Sequence, residues 1–202
     1  LNLCGTMITD DGLSNLTVLP NLEYLAIEFT DVSDAGLQYV GQLEKLRDLA
    51  MMGTKTAGPG LKHIGKLSHL ESLGLSDNLI RSDDLRHLTR LKNLKTLYLA
   101  NTEIDDSAAI QIAQLTSLET LSVEHTKVGD KFIAGISSLR NLNNLNVQGT
   151  QITNASESAI CGFPKLEQFY AWDTSMDYDT MGRIEAYADE NAEARLDRIT
   201  TR

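Results

Sequence analysis

The sequence predicts an α/β solenoid: a right-handed stack of short coils, with a parallel sheet on its concave face and short helices on its convex face. Two observations carry this. Leucine recurs every 24 residues without a slip, at Leu22, Leu46, Leu70, Leu94, Leu118, Leu142 and Leu166. A period in this range marks supersecondary units that bury their apolar edges only by stacking. Behind each leading leucine, further apolar columns stand at offsets 3, 5, 10, 15, 18 and 21, and only Thr56 and Glu157 break them.

Each element follows from the spacing. Offsets 3 and 5 alternate with polar residues, the period of a half-buried strand. Offset 8 is a threonine column, Thr30, Thr54, Thr102, Thr126, Thr150 and Thr174, with Asn78 in the remaining coil; these side chains are expected to satisfy neighbouring turns. Offsets 15, 18 and 21 run three apart, one face of a short helix or 3₁₀ turn. Segments such as Thr9-Asp10-Asp11-Gly12-Leu13 and Ser33-Asp34-Ala35-Gly36-Leu37 precede that run and supply N-cap oxygens for its orphan amides. Gly12, Gly36 and Gly60 are expected as turn glycines. Glu157 falls in a core column, where a lone carboxylate is costly; a reshaped turn should swing it into solvent, with Ala155 or Ala159 filling in.

The pattern Leu-x-x-Leu-x-Leu-x-x-Thr-x-Ile-x-Asp-x-x-Leu-x-x-Leu-x-x-Leu resembles a leucine-rich repeat. It is similar to the 24-residue bacterial repeats of planctomycete-type proteins, and also to the cysteine-containing repeats of F-box substrate receptors. The resemblance covers residues 1 to about 188. It implies a leucine-rich-repeat solenoid whose role is to present a binding surface. The threonine column departs from the asparagine ladder usual in that family.

Domain organisation follows. Residues 1–188 form one repeat domain of about eight coils, the first incomplete. Residues 179–202 form a capping helix and tail: Met181, Ile184, Tyr187, Ala188, Ala192, Leu196 and Ile199 recur among charges as on an amphipathic helix. The chain opens inside a coil, which suggests a piece of a longer protein.

Formal net charge is −10 and the sequence pI about 4.8. This argues against nucleic acid as a partner, since phosphate contacts need a cationic surface. No apolar run is long enough to span a bilayer. Cys4 and Cys161 lie about six coils apart, too far to pair. Without a disulfide framework the sequence favours a cytoplasmic setting over a secreted or periplasmic one.

Strand alternation assigns the binding surface. With offsets 3 and 5 inward, offsets 2, 4 and 6 face outward on the concave sheet, and offset 7 flanks them. The candidate partner-binding residues there are Tyr24, Glu28, Phe29, Asp48, Met52, Asp77, Tyr98, Asn101, Glu124, His125, Tyr170 and Trp172. Carboxylates without any Lys or Arg, beside exposed aromatics, suit a neutral or basic protein segment. Tyr170 and Trp172 stand where packing against the capping helix competes with binding.

On the convex side, offsets 16, 17 and 20 read Lys62, His63, Lys66 in one coil and Arg86, His87, Arg90 in the next. This secondary basic patch is either a solvated helix face or a dock for an acidic partner or another copy of the chain. His63 and His87 have no third and fourth ligand in register, so no metal site is expected. Glu124-His125 with Ser122 does not make a triad, because neighbouring strand residues point apart. There is no phosphate loop, no dinucleotide fingerprint and no C-x-x-C. No cofactor and no enzyme activity are expected. The alternatives are the sensor arm of a larger enzyme, such as a kinase or a ubiquitin-ligase receptor, and an extracellular adhesion or glycan-binding domain.

Overall fold

The computed structural model describes residues 1–200, with side chains described through Ala194. Seven three-residue strands form one parallel sheet in sequence order: β1 Tyr24–Ala26, β2 Asp48–Ala50, β3 Ser72–Gly74, β4 Thr96–Tyr98, β5 Thr120–Ser122, β6 Asn144–Asn146 and β7 Gln168–Tyr170. Register is strict, pairing each residue with the one 24 positions on, as in Leu25↔Leu49 and Leu49↔Leu73. Asn2 adds a bridge to Ala26 at the first edge. Each strand is followed by a turn and one or two short helical segments, such as Leu37–Val40 or Ser82–Leu88.

The leading leucines from Leu46 to Leu166, with the other apolar columns, make one continuous core between sheet and helices. Leu22, in the first full coil, is only partly buried against it. Phe132 is fully buried at offset 14, where three earlier coils carry glycine. Gly36 and Gly60 do lie in turns and Gly12 in the first helical turn, but none has a positive φ. Gly36 and Gly60 lie in the right-handed helical region at φ −67°, and a β-carbon on Gly60 would come within 2.8 Å of the Asp34 backbone. They are small because the preceding coil passes close by.

That preceding coil brings a second tie between coils. Asp10 accepts from the Ser33 backbone N–H at 2.8 Å, and Asp34 accepts from Ala57 and Gly60. Asp106 accepts from Gly129 at 2.6 Å and Phe132 at 3.2 Å, and Asp130 from Thr153 at 2.9 Å. Ser82 and Asn154 accept likewise from Asp105 and Asp177. The expected caps are thus used mainly across the stack: each holds the amides of the following coil. Asp105, Thr153 and Asp177 cap their own segments, accepting from Ser107, Ala155 and Thr180. At Gly58 the column has no side chain, and Arg81 N–H turns to its own Asp84, whose carboxyl fills the space beside Gly58.

The threonine column works the opposite way. Thr30, Thr102, Thr126, Thr150 and Thr174 donate to the carbonyl three residues back in their own coil, at 2.6–2.7 Å. Asn78 alone in the column reaches a neighbour's backbone, donating to Met51 O at 2.8 Å and to Leu75 O and Ser76 O. Its oxygen accepts from Thr54, whose hydroxyl also lies 3.0 Å from that of the fully buried Thr56. The polar break at Thr56 is therefore satisfied by a hydroxyl rather than by a backbone acceptor.

The C-terminal helix, Tyr178–Thr200, closes the stack. Ile184 and Ala188 are buried; Tyr187 Oη donates to Phe163 O at 3.1 Å and Asn191 to Leu166 O at 3.1 Å. The side chains of Leu196 and Ile199 lie outside the described residues. Glu157 leaves the core as expected, its side chain about one-third exposed and Ala159 packed against the core, but it is not free in solvent. It meets Arg183 of this helix in a two-point pair, Nε–Oε1 2.5 Å and Nη2–Oε2 2.7 Å. Arg183 holds the Glu157 carboxyl below its ordinary range, and the Thr180 backbone N–H does the same for Asp177 at the helix start. The core-column carboxylate is thus an anchor for the cap.

Two predictions follow from these ties. Asp106→Ala leaves the Gly129 amide of the next coil unpaired and takes one of two acceptors from Phe132, whose N–H keeps Gly129 O at 3.0 Å; it should lower the unfolding free energy by about 1–3 kcal/mol, while Asp106→Asn keeps most of it, as read by urea denaturation. Glu157 and Asp177 have depressed folded pKa values, so their stabilisation is complete above the unfolded carboxylate range near pH 4 and is lost as pH falls through the folded values. Amide exchange, corrected for intrinsic rate, should therefore show residues 181–191 losing protection in acid before strands β2–β5. Glu157→Gln should show that loss already near neutral pH.

Candidate functional site

The sheet face is built from two register rows. One runs Tyr24↔Asp48↔Ser72↔Thr96, the other Ala26↔Ala50↔Gly74↔Tyr98. Strands stand about 4.8 Å apart, so Tyr24 and Tyr98 are separated by roughly 14 Å of low floor. The result is a groove of about 610 Å³ across β1–β5, with Ala50 and Gly74 in its floor. Tyr24, Glu28, Asp48, Met52, Asp77, Tyr98, Asn101 and Glu124 all line it, and no Lys or Arg does. The chain's sequence thus brings most of the expected face into one concavity.

The electrostatics are one-signed. Burial pushes the Asp48 carboxyl up, an effect opposed by its Ser72 hydrogen bond and reinforced by Glu28. Tyr24 is raised by desolvation and by nearby Asp48. Glu124 accepts from the buried Ser122 hydroxyl at 2.8 Å, and Asp77 accepts from Asn101 at 2.9 Å. Cys4, unpaired, donates to Glu28 at 3.1 Å, and burial raises its thiol. Such a surface can accept positive charge and apolar area together.

Offset 7 forms the rim, and its backbone is unusual. Phe29, Asp77, Asn101, His125 and Asp173 all have φ between 51° and 59°, and Gly5, Gly53 and Gly149 complete the column. The turn lets each of these amides from Gly5 to Gly149 donate to the next coil, as in Phe29 N–H to Met52 O at 2.9 Å. Asn, Asp and Gly adopt this conformation readily, whereas a bulky side chain pays for it. Phe29 is accommodated because its ring lies over Gly53, where a β-carbon would come within 2.7 Å of it. His125 sits over Gly149 in the same way. His125 is therefore turned onto the following coil and Glu124 onto Ser122, so the two make no acid–base pair.

Phe29, His125, Tyr170 and Trp172 stand outside the groove lining. Tyr170 and Trp172 remain 41% and 55% exposed, so the capping helix does not cover them. Between them and the groove the face carries amides, with Asn144 donating to Gln168 at 2.5 Å.

The second predicted patch lies on the helical side, directly behind β2 and β3. Lys62, Lys66, Arg86 and Arg90 are exposed, and His63 and His87 half-buried. Burial, then neighbouring Lys62 and Lys66, lower the His63 pKa; burial, then Arg86, lower that of His87. Arg86 donates to Asp83 O at 2.9 Å. Among the described residues no group of three or more His, Cys, Asp or Glu is arranged to hold a metal ion, and no helix is long and apolar enough to cross a membrane.

Strand alternation also puts Ala50, Ser72 and Gly74 on this outward face, but the candidate binding residues are its large and charged side chains, and the part these small residues play in shaping the floor comes from the structure. The available signal was the run of small residues at offset 4 in the first three full coils, Ala26, Ala50 and Gly74.

Comparison with known proteins agrees with this architecture. The profile described as "Leucine rich repeat" matches residues 68–128. No curated protein matches the chain. Among solved structures, the chain is similar to internalin C2 of Listeria monocytogenes, at 24% identity and TM-score 0.76, over 91% of this chain and 76% of that one. It is also similar to an internalin, inlF, of Listeria monocytogenes at 22% identity and TM-score 0.69, over 94% of this chain and 58% of that one. A plant peptide hormone receptor, RGFR1, solved in complex with RGF2, aligns at 21% identity and TM-score 0.59, over 86% of this chain and 28% of the receptor. With its parallel sheet in sequence order and its 24-residue register, the chain is a leucine-rich-repeat solenoid.

Proposed function

We propose that this chain is a non-enzymatic interaction module that binds a protein partner through its sheet face, and that the partner presents a neutral or basic segment. The groove between Tyr24 and Tyr98 carries this reading: it joins exposed aromatic surface to carboxylates and lacks any cation of its own. Aromatic anchors in a desolvated hollow are where binding energy concentrates, and single-signed charge steers and selects an oppositely charged partner. The Phe29 rim adds a rigid, strained aromatic beside that hollow, a kind of strain that clusters at functional positions.

The test is recovery of partners from the native source on immobilised chain. The comparison variant carries Tyr24→Ala, Phe29→Asn and Tyr98→Ala together; asparagine is chosen at residue 29 because it takes the left-handed conformation readily. Loss of two or more anchors should weaken binding by about 30-fold or more, with the circular dichroism spectrum unchanged. Raising salt should weaken the wild-type interaction as well. A control with Lys62, Lys66, Arg86 and Arg90 changed to Ser should recover the same partner. Equal recovery by wild type and the triple variant removes the sheet face as the binding site.

A further inference from the structure

Gly74 is the one glycine within the seven strands, and the scaffold does not require it. It has no positive φ, and a β-carbon placed there would meet its nearest neighbour, the Ala50 Cα, at 3.6 Å, an ordinary contact. Other glycines of the stack differ. Gly41 and Gly60 face backbone atoms of a neighbouring coil at 2.8 Å, and Gly53 and Gly149 need both their φ and the space under a ring. Glycine inside a strand weakens it by extra backbone entropy and by the lack of a side chain to pack. At residue 74 the chain bears that cost with no gain in packing or backbone geometry.

What glycine does there is open the groove. Gly74 lies in the floor, in register between Ala50 and Tyr98, and Asp48 is its diagonal neighbour on the same face, roughly 8 Å away. We infer that the space over Gly74 is a slot for one lysine or arginine side chain of an extended protein segment, and that Gly74 sets this specificity. The inference rests on the sheet-face reading above. The aliphatic stem would lie on Gly74 and Ala50, beside the Tyr98 ring, where a cation is attracted by the ring face. The charged head would reach Asp48, with Glu28 further along the same lining. Asp48 is partly desolvated and has no cation within ion-pair distance among the described residues. An incoming cation would supply the missing partner. A carboxylate from the partner would meet four acids, Glu28, Asp48, Asp77 and Glu124, in the groove lining.

The experiment titrates isotopically labelled chain with four capped peptides, acetyl-Ala-Ala-X-Ala-Ala-amide, X being Arg, Lys, Leu or Glu, up to about 1 mM, a range that detects weak complexes. Arg and Lys peptides should shift the amides of residues 49–51, 73–75 and 97–99, and Leu and Glu peptides should not. Gly74→Val should weaken the Arg peptide by about tenfold, as should Asp48→Asn, the size expected for losing one cation contact. Gly74→Ala should weaken it less while raising the thermal midpoint by roughly 2 °C, which a merely structural glycine would not do. Equal shifts from the Leu or Glu peptide, wild-type affinity in Gly74→Val, a fall in midpoint for Gly74→Ala, or no shift with any peptide overturns the slot. The wider sheet-face reading is judged separately by the triple variant, which contains no change at residues 48 or 74.

Discussion

A single coil of this chain cannot satisfy itself. Its three-residue strand leaves amides and carbonyls open on both edges, its first helical turn leaves orphan N–H groups, and its leucines form an edge rather than a core. Every one of these debts is met by the neighbouring coil at a fixed sequence distance. Strand residues pair 24 positions on, and in all but one coil a carboxylate, hydroxyl or amide oxygen after the turn reaches an amide 23 positions on. Stability is therefore a property of interfaces between coils, as in other quasi-one-dimensional stacks. The ends of the stack carry a different burden from the middle, which is why a long helix tied by Glu157 and Arg183 appears at one of them.

The same register produces the candidate site. Because side chains with equal offsets align, a choice of residue type in one column becomes a line on the surface. Tyr24, Asp48 and Ser72 share one row and Ala50, Gly74 and Tyr98 another, so a few substitutions in successive coils build walls, charge and floor. The helices behind do not touch this face. Its residues are free of packing duties except for the small ones, Ala26, Ser76 and Ser122, which are buried.

The core columns, the strand positions and the outward face were legible in the sequence because they follow from periodicity and alternation, both local to a coil. The cross-coil hydrogen bonds were not. Asp10 and Asp34 look like caps for the helical turn that follows them, and nothing local reveals that their partners are Ser33, Ala57 and Gly60 in the next coil. Thr30 and its column look like a ladder between coils and prove to close their own turns. Glu157 was visible as an exception, but its meaning depended on where Arg183 lands, which is set by a helix outside the repeat. Tyr170 and Trp172 were assigned to the right face, yet their exposure also depended on the path of that helix. The floor residues fell on the assigned face by alternation, but the depth they leave between Tyr24 and Tyr98 depends on how the walls stand in three dimensions.

The rings of Phe29 and His125 have a consequence for the history of the array. Each rests on a glycine one coil further along, Gly53 or Gly149. Removing the coil from residue 46 to 69 would slide Asp77 under Phe29, and an extra copy of it would put two glycine positions in line with a single ring. Coils that look interchangeable by their leucines are thus matched to specific neighbours at the rim. Duplication or loss of a repeat must either occur elsewhere in the stack or change the ring and its glycine together.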